Sequence, residues 1–140
     1  MTPPNIFLPV AALALWTLLV LILVPIARFR AAAAGRVSVR DFKTGESAQV
    51  PPDVSVPNRV FMNLLEAPVL FYVAVIVAFL AGHVEPRLIT LAWVYVGLRV
   101  LHSLIYLVYN NVFHRLSVFA LSNFVVLAMW LLLTSKLMGL

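Results

Sequence analysis

The chain has 140 residues, of which 64% are hydrophobic and only 11% charged, and its formal net charge is +5 at pH 7. Soluble domains are closer to half apolar and a quarter charged, so this composition excludes an ordinary water-soluble protein and favours an integral membrane protein. Since a spanning helix needs about 20 apolar residues, the length leaves room for roughly four helices and their loops.

The residue types that are scarce narrow the chemistry further. The chain has no cysteine, which excludes disulfides, thiolate metal sites and a cysteine nucleophile. Its three histidines, His83, His102 and His114, lack the spacing of metal ligands, so we expect no metal. The positive charge indicates membrane topology, and with so little surface outside the membrane we expect no nucleic-acid partner.

Four apolar runs predict an all-α bundle of four transmembrane helices in a single domain. The runs cover residues 5–27, 60–81, 87–109 and 115–137. A signal peptide is the alternative for the first run, but no basic segment precedes it and it is long enough to span. The polar stretch 28–59 predicts one long loop, in which Pro51, Pro52 and Pro57 should break any helix. Pro68 should kink the second span.

Basic residues predict the orientation of the bundle. They concentrate in the loop 28–59 and around the turn 110–114, which lie on the same side of the predicted membrane. Because positively charged loops stay in the cytoplasm, both segments should be cytoplasmic and both termini should face outward. The scarcity of lysine and the Ala/Val/Leu-rich spans favour a bacterial inner membrane.

Six polar side chains lie at helical spacing on the second and third spans, where charge is costly and usually marks a functional site. They are Arg59, Asn63 and Glu66 on the second span, and Arg99, His102 and Tyr106 on the third. The two polar faces should meet, within one subunit or across a subunit interface, with Glu66 as the counter-charge of Arg99 or Arg59. The alternative is a set of structural contacts that holds the helices together.

Together with Arg115 and Arg28, these residues predict a cationic pocket that opens toward the cytoplasm. Such a pocket suits a small anionic or zwitterionic ligand, because arginine binds carboxylates through two hydrogen bonds. A lipophilic second substrate would enter from the surrounding lipid. Two other functions remain open: a non-catalytic scaffold, lipid-binding protein or accessory subunit, and a small transporter. A cavity lined by these residues favours the enzyme, mutual pairing without a cavity favours the scaffold, and a continuous wet path favours transport.

The same residues resemble a known family. Their pattern is Arg59-Val-Phe-Met-Asn63-Leu-Leu-Glu66-Ala-Pro68, followed by Arg99-Val-Leu-His102-Ser-Leu-Ile-Tyr106 and then Arg115. Nearly the whole chain is similar to the MAPEG superfamily, the membrane-associated proteins of eicosanoid and glutathione metabolism. The resemblance implies a homotrimer of four-helix subunits that binds glutathione as a cosubstrate at the subunit interface. It also implies a microsomal glutathione transferase-like activity toward a lipophilic electrophile or hydroperoxide.

The resemblance also implies roles for individual residues. Arg115 occupies the position of the arginine that stabilises the glutathione thiolate. The positions that hold glutathione correspond to Arg59, Asn63, Glu66, His102 and Tyr106, with Arg28 or Arg30 as the first-helix arginine. Three positions depart from the family pattern: Met62 replaces a basic residue, Leu116 a serine and Phe119 a tyrosine. These departures predict weaker outer contacts to glutathione.

Overall fold

The computed structural model describes residues 5–139. All of the secondary-structure elements named in this range are helices. The five α-helices are α1 (Phe7–Ala33), α2 (Pro52–Glu66), α3 (Val69–Leu80), α4 (Pro86–Val108) and α5 (Val112–Leu137). α2 and α3 follow one another across a break at Ala67 and Pro68, and together they are long and apolar enough to cross a membrane, as are α1, α4 and α5. The chain is therefore an integral membrane protein built as a four-helix bundle.

The first helix continues beyond the basic residues that were expected to end it. Residues 31–34 are all alanine, the strongest helix former, so α1 extends to Ala33. It stops at Gly35, whose φ of +70° suits glycine. The backbone N–H of Arg36 then donates to the carbonyl of Ala31 at 2.9 Å, as in a Schellman motif.

The expectation that proline would break any helix before residue 59 was wrong for α2. This helix begins at Pro52, the first helical position, where a backbone N–H would have no partner anyway. Pro57 lies inside α2 and removes a single backbone donor near its start. The long connection therefore covers residues 34–51 rather than 28–59.

The connection 34–51 is folded against the helix ends. It contains a short 3-10 helix, Val39–Phe42, and its Val37 and Phe42 pack on buried Ala31, Val50 and Val54. Arg36 donates two hydrogen bonds to Asp53, at 3.0 and 2.7 Å.

The carboxylate of Asp41 caps the start of that 3-10 helix. The backbone N–H of Ser38 donates to Asp41 at 2.7 Å, and the hydroxyls of Ser38 and Ser47 also donate to it. These hydrogen bonds, the backbone one first, hold the pKa of Asp41 below its usual value, because they favour the charged form.

The apolar core lies between the helices, while leucine-rich faces point outward. Leu13 of α1, Phe71 of α3 and Tyr95 of α4 are all fully buried. The rings of Phe71 and Tyr95 stack with centroids 4.7 Å apart. Large side chains such as Leu15 and Leu18 remain more than half exposed in the single chain, as expected for helices that contact lipid.

Side chains of α4 and α5 donate to backbone carbonyls on both sides of the helix break. Arg99 donates to the carbonyl of Asn63 at 3.3 Å, and the Tyr95 hydroxyl to that of Ala67 at 3.4 Å. The indole N–H of Trp130 donates to the carbonyl of Leu70 at 3.1 Å. The sequence predicted a kink at Pro68, and the structure interrupts the helix there.

The two ends of the bundle differ. One end holds the connection 34–51 and the turn between α4 and α5. In this turn the side chain of Asn111 caps α5 by accepting hydrogen bonds from the N–H groups of Phe113 and His114. This cap explains why α5 starts at Val112, three residues earlier than expected. At the other end, the ammonium of Lys136 lies 3.1 Å from the carboxylate of Glu85.

Replacement of Phe71 by alanine tests the importance of the core stack. We expect Phe71→Ala to lower the free energy of unfolding by about 3 kcal/mol, because it leaves a cavity beside Tyr95. Phe113→Ala removes the same ring from a position that is 79% exposed and should have little effect. SDS titration in mixed micelles, followed by circular dichroism, measures both. Equal losses would contradict the assigned core.

Candidate functional site

A cavity of about 490 Å³ opens between α2, α4 and α5 at the end that carries the connection 34–51. Its lining residues are Asn58, Arg59, Met62, Asn63, Glu66, His102, Tyr106, Val112, Arg115, Leu116 and Phe119. The set includes every residue predicted for the site except Arg28 and Arg99. The volume falls within the range of roughly 300–1,000 Å³ that is typical of small-molecule sites.

The two polar helix faces meet within a single chain at Arg99 and Asn63. The guanidinium of Arg99 is completely buried and donates from Nη2 to both the side-chain and the backbone oxygen of Asn63. The guanidinium carbon of Arg99 lies 5.5 Å from the centroid of the Phe119 ring. Asn63 and Phe119 both line the cavity, so Arg99 stands directly behind its wall.

The counter-charge expected for Arg99 is not where the sequence predicted it. Glu66 forms no ion pair with Arg99 or Arg59 within residues 5–139, and it lies exposed at the cavity wall. The partner of Arg99 is the neutral amide of Asn63, while its Nε and Nη1 atoms are buried without a hydrogen-bond partner among the described residues. Within the described chain, the positive charge behind the cavity thus has no counter-charge, and the carboxylate of Glu66 is left for other contacts.

His102 forms the inner part of the cavity wall. It is only 4% exposed, and its ring lies 5.7 Å from that of Phe119 and 6.2 Å from that of Tyr106. α4 brings His102 and Tyr106 to the same face because they are four residues apart.

Arg115 lies at the mouth of the cavity, where two neighbours fix its position. Its guanidinium carbon is 4.0 Å from the centroid of the Tyr106 ring, and its Nη1 donates to Oδ1 of Asn110 at 2.6 Å. Asn110 has a φ of +47°, a left-handed conformation that asparagine tolerates well at a helix end. The side chain of Asn110, placed by this turn, therefore helps to hold the guanidinium.

A second, more polar cavity of about 360 Å³ adjoins the first at this point. It extends toward the connection 34–51, and the residues common to both cavities are Arg59, Tyr106, Val112 and Arg115. The guanidinium of Arg115 thus borders a cavity between the spans and another beside the connecting segment.

Arg28 does not join this site within the single chain. It lines a separate cavity beside α1, where its Nη2 lies 3.3 Å from Glu46 and its guanidinium stacks 4.5 Å from the centroid of the Phe42 ring. The sequence analysis had included Arg28 in the cationic pocket, and the resemblance gave Arg28 or Arg30 as the first-helix arginine of the site. Neither could foresee that Glu46 and Phe42 of the connection 34–51 contact Arg28.

The three departures from the family pattern all fall on the cavity wall. Met62, Leu116 and Phe119 make that wall more apolar, and the first two are exposed. The sequence analysis did not identify Asn58 as a lining residue. The sequence did contain a signal for it. Asn58 lies four residues before Met62, as Arg59 lies four before Asn63, so Asn58 and Met62 share a helix face next to that of the predicted site.

A family model also matches the sequence. The match is to the MAPEG family and covers residues 6–135 of the 140. The chain belongs to the MAPEG family. Neither a curated protein nor a solved structure matches it. In this MAPEG protein, the polar residues numbered in the family pattern line one cavity, apart from Arg99, which lies directly behind the wall.

A double-mutant cycle tests the contact between α2 and α4. We expect Asn63→Leu to destabilise the protein by about 2 kcal/mol or more, because it leaves the buried charge of Arg99 without its hydrogen-bond acceptors. Asn63→Leu combined with Arg99→Met removes both partners and should restore much of the loss. SDS unfolding of the four proteins provides the measurement, and strictly additive effects would show that the contact contributes nothing.

Proposed function

We propose that this MAPEG protein is a membrane enzyme that activates glutathione as a thiolate in the cavity between α2, α4 and α5. The thiolate would be conjugated to a lipophilic electrophile or would reduce a lipid hydroperoxide. MAPEG proteins generally use glutathione. The observation that carries the proposal is that Arg59, Asn63, Glu66 and Arg115 line one open cavity instead of pairing with one another.

The charges around the cavity fit the charges of glutathione, which carries two carboxylates and one ammonium group. Arg59 offers a guanidinium to a carboxylate, a pairing that arginine favours, and Glu66 offers a free carboxylate to the ammonium group. The unneutralised charge of Arg99 adds a positive potential behind the wall. His102 and Tyr106 add polar atoms on the side of α4.

Arg115 would hold the charge that develops on the ligand. Glutathione supplies a thiol, and a free thiol has a pKa of about 8.5 and is mostly protonated at neutral pH. Lowering that pKa to about 6.5 takes roughly 2.7 kcal/mol of differential stabilisation. A guanidinium fixed by Tyr106 and Asn110, in a partly desolvated site, favours the thiolate in this way.

The apolar part of the cavity would receive the second substrate. Met62, Leu116 and Phe119 form a wall beside Arg115, at the level where α2 and α5 also contact lipid. A lipophilic electrophile or hydroperoxide dissolved in the bilayer would reach this wall without crossing water.

The exposed side of the cavity also supports assembly as a homotrimer, in which a neighbouring subunit would cover it and bring a first-helix arginine near the ligand.

Positive-inside topology supports an orientation with this site on the cytoplasmic side of a bacterial inner membrane. The basic connection 34–51 and the turn 110–114 lie at the same end of the bundle as the cavity. Both termini would then face outward. Glutathione of the cytoplasm would reach Arg115 directly.

One observation favours a second candidate function, a non-catalytic MAPEG-fold scaffold, lipid-binding protein or accessory subunit. Arg99 binds Asn63 within the bundle, as a structural contact between helices would. The apolar residues Met62, Leu116 and Phe119 reduce the number of polar contacts open to glutathione.

Thiolate formation decides between the two candidates. With the protein purified in detergent at millimolar glutathione, we expect ultraviolet thiolate absorbance and proton release that reach a stoichiometric level. Arg115→Ala should abolish the signal, and Arg40→Ala, which removes an exposed arginine of the connection 34–51, should leave it intact. No signal in the unaltered protein would favour the scaffold.

Asn110 provides a finer test of how Arg115 is held. Asn110→Gly preserves the turn, because glycine readily adopts a positive φ, but removes the oxygen that accepts from Arg115. We expect the bound thiol to titrate roughly one pH unit higher, equivalent to about 1.4 kcal/mol. The control is an unchanged melting temperature. An unaltered titration would mean that Tyr106 alone positions the guanidinium.

A further inference from the structure

An asparagine near the middle of α5 faces out of the single chain. Asn123 is exposed, although α5 is long and apolar enough to cross a membrane. Ser117 and Ser122 donate to carbonyls of their own helix, but within residues 5–139 the amide of Asn123 forms no hydrogen bond. Because a polar group without a partner is costly in hydrocarbon, this amide requires a partner from outside the chain.

Asn123 lies on the face of α5 that lines the cavity assigned to glutathione. Leu116 and Phe119 belong to the wall of that cavity, and Asn123 follows them by seven and four residues, so the three side chains point to the same side. A further cavity of about 300 Å³, here called the α5 groove, is lined by Ala120, Asn123, Phe124 and Leu127. It begins one residue beyond Phe119 and leads away from the thiolate site toward the middle of the span.

The α5 groove fits an extended ligand better than a neighbouring helix. Close contacts between membrane helices use small residues, which let the two backbones approach each other. Around Asn123 only Ala120 is small, whereas Phe124 and Leu127 are large and more than half exposed. These two side chains would hold a second backbone away from the amide, but they leave room for an apolar chain beside them.

We propose that Asn123 selects a second substrate that carries an uncharged hydrogen-bonding group about 12 Å from its reactive atom. Asn123 lies eight residues beyond Arg115, and a helix rises about 1.5 Å per residue. The inference rests on the proposed function, because the reactive end must reach the thiolate held by Arg115.

The chemistry of an amide defines the class of group that Asn123 binds. An amide both donates and accepts hydrogen bonds, so it can bind a hydroxyl or a carbonyl. A carboxylate would have to leave water for a neutral partner, which costs far more than the transfer of an uncharged group. The substrate is therefore a lipophilic electrophile or hydroperoxide with a hydroxyl or ketone along its chain.

Three α,β-unsaturated aldehydes of equal chain length test this selectivity. One has no hydroxyl, one has a hydroxyl about 12 Å from the β-carbon, and one has it at the far end of the chain. In each reaction the thiolate sulfur bonds to the β-carbon and the α-carbon takes up a proton. We expect kcat/KM for the second aldehyde to exceed that of the other two by about tenfold, as for one added hydrogen bond. Equal values of kcat/KM would overturn the proposal.

Two variants locate the contact. Asn123→Leu should abolish the preference for the second aldehyde. Asn123→Leu combined with Leu121→Asn moves the amide to an exposed position on the opposite side of α5, and should not restore it. A restored preference would overturn the proposal, since any amide in the span would then suffice. A smaller cross-linked assembly for Asn123→Leu than for the unaltered protein would place a second copy against Asn123, which overturns it as well.

Infrared spectroscopy separates this inference from the proposed function. Turnover of none of the three aldehydes would contradict the proposed function, but a saturated analogue with an isotopically labelled ketone at the same distance still reports on Asn123. Because a hydrogen bond lowers the carbonyl stretching frequency, we expect a band at lower frequency in the unaltered protein than in Asn123→Leu. Identical bands would overturn the inference, whether or not the protein is an enzyme.

Discussion

The bundle depends on one buried cation. Arg99 lies inside a membrane span, where a central arginine costs roughly 2.5–3.5 kcal/mol on insertion scales. It has no carboxylate partner within residues 5–139 and is held by the two oxygens of Asn63 and by the face of Phe119. α2 must therefore turn Asn63 toward α4. Helical spacing then places Arg59 and Glu66 on nearly the same face as Asn63. The α2 side of the cavity wall therefore follows from the contact between Asn63 and Arg99.

The neutrality of that partner has a chemical consequence. An acidic residue at position 63 would cancel the charge of Arg99, whereas an asparagine supplies hydrogen bonds and leaves the potential positive. The one acidic side chain of the cavity, Glu66, remains exposed and free of ion pairs in the described chain. The site thus separates its positive charge from its negative charge, which suits a zwitterion better than a simple anion.

The sequence was sufficient for the parts of the structure that periodicity controls. The four spans and the two polar faces follow from hydrophobic runs and from residues three, four and seven apart. Helix ends were harder to predict, because Pro57 lies early enough in α2 to remove only one donor, and because Ala31–Ala34 prolong α1. The partner of Arg99 and the position of Arg28 depended on long side chains and on a folded connection, and neither is encoded in spacing along a helix.

The bonds at the break near Pro68 fix how far each helix can slide along its neighbours. Apolar helix surfaces in lipid offer little resistance to such sliding, since neighbouring lipid tails are as apolar as leucine. Here three side-chain hydrogen bonds hold the helices at successive levels of the second span. Arg99 donates to the carbonyl of Asn63, Tyr95 to that of Ala67 and Trp130 to that of Leu70. A slip of one helical turn, about 5.4 Å, would misalign these donors with their carbonyls. These three hydrogen bonds thereby fix the height of Arg99 on α4, and that of Arg115 on α5, relative to the second span.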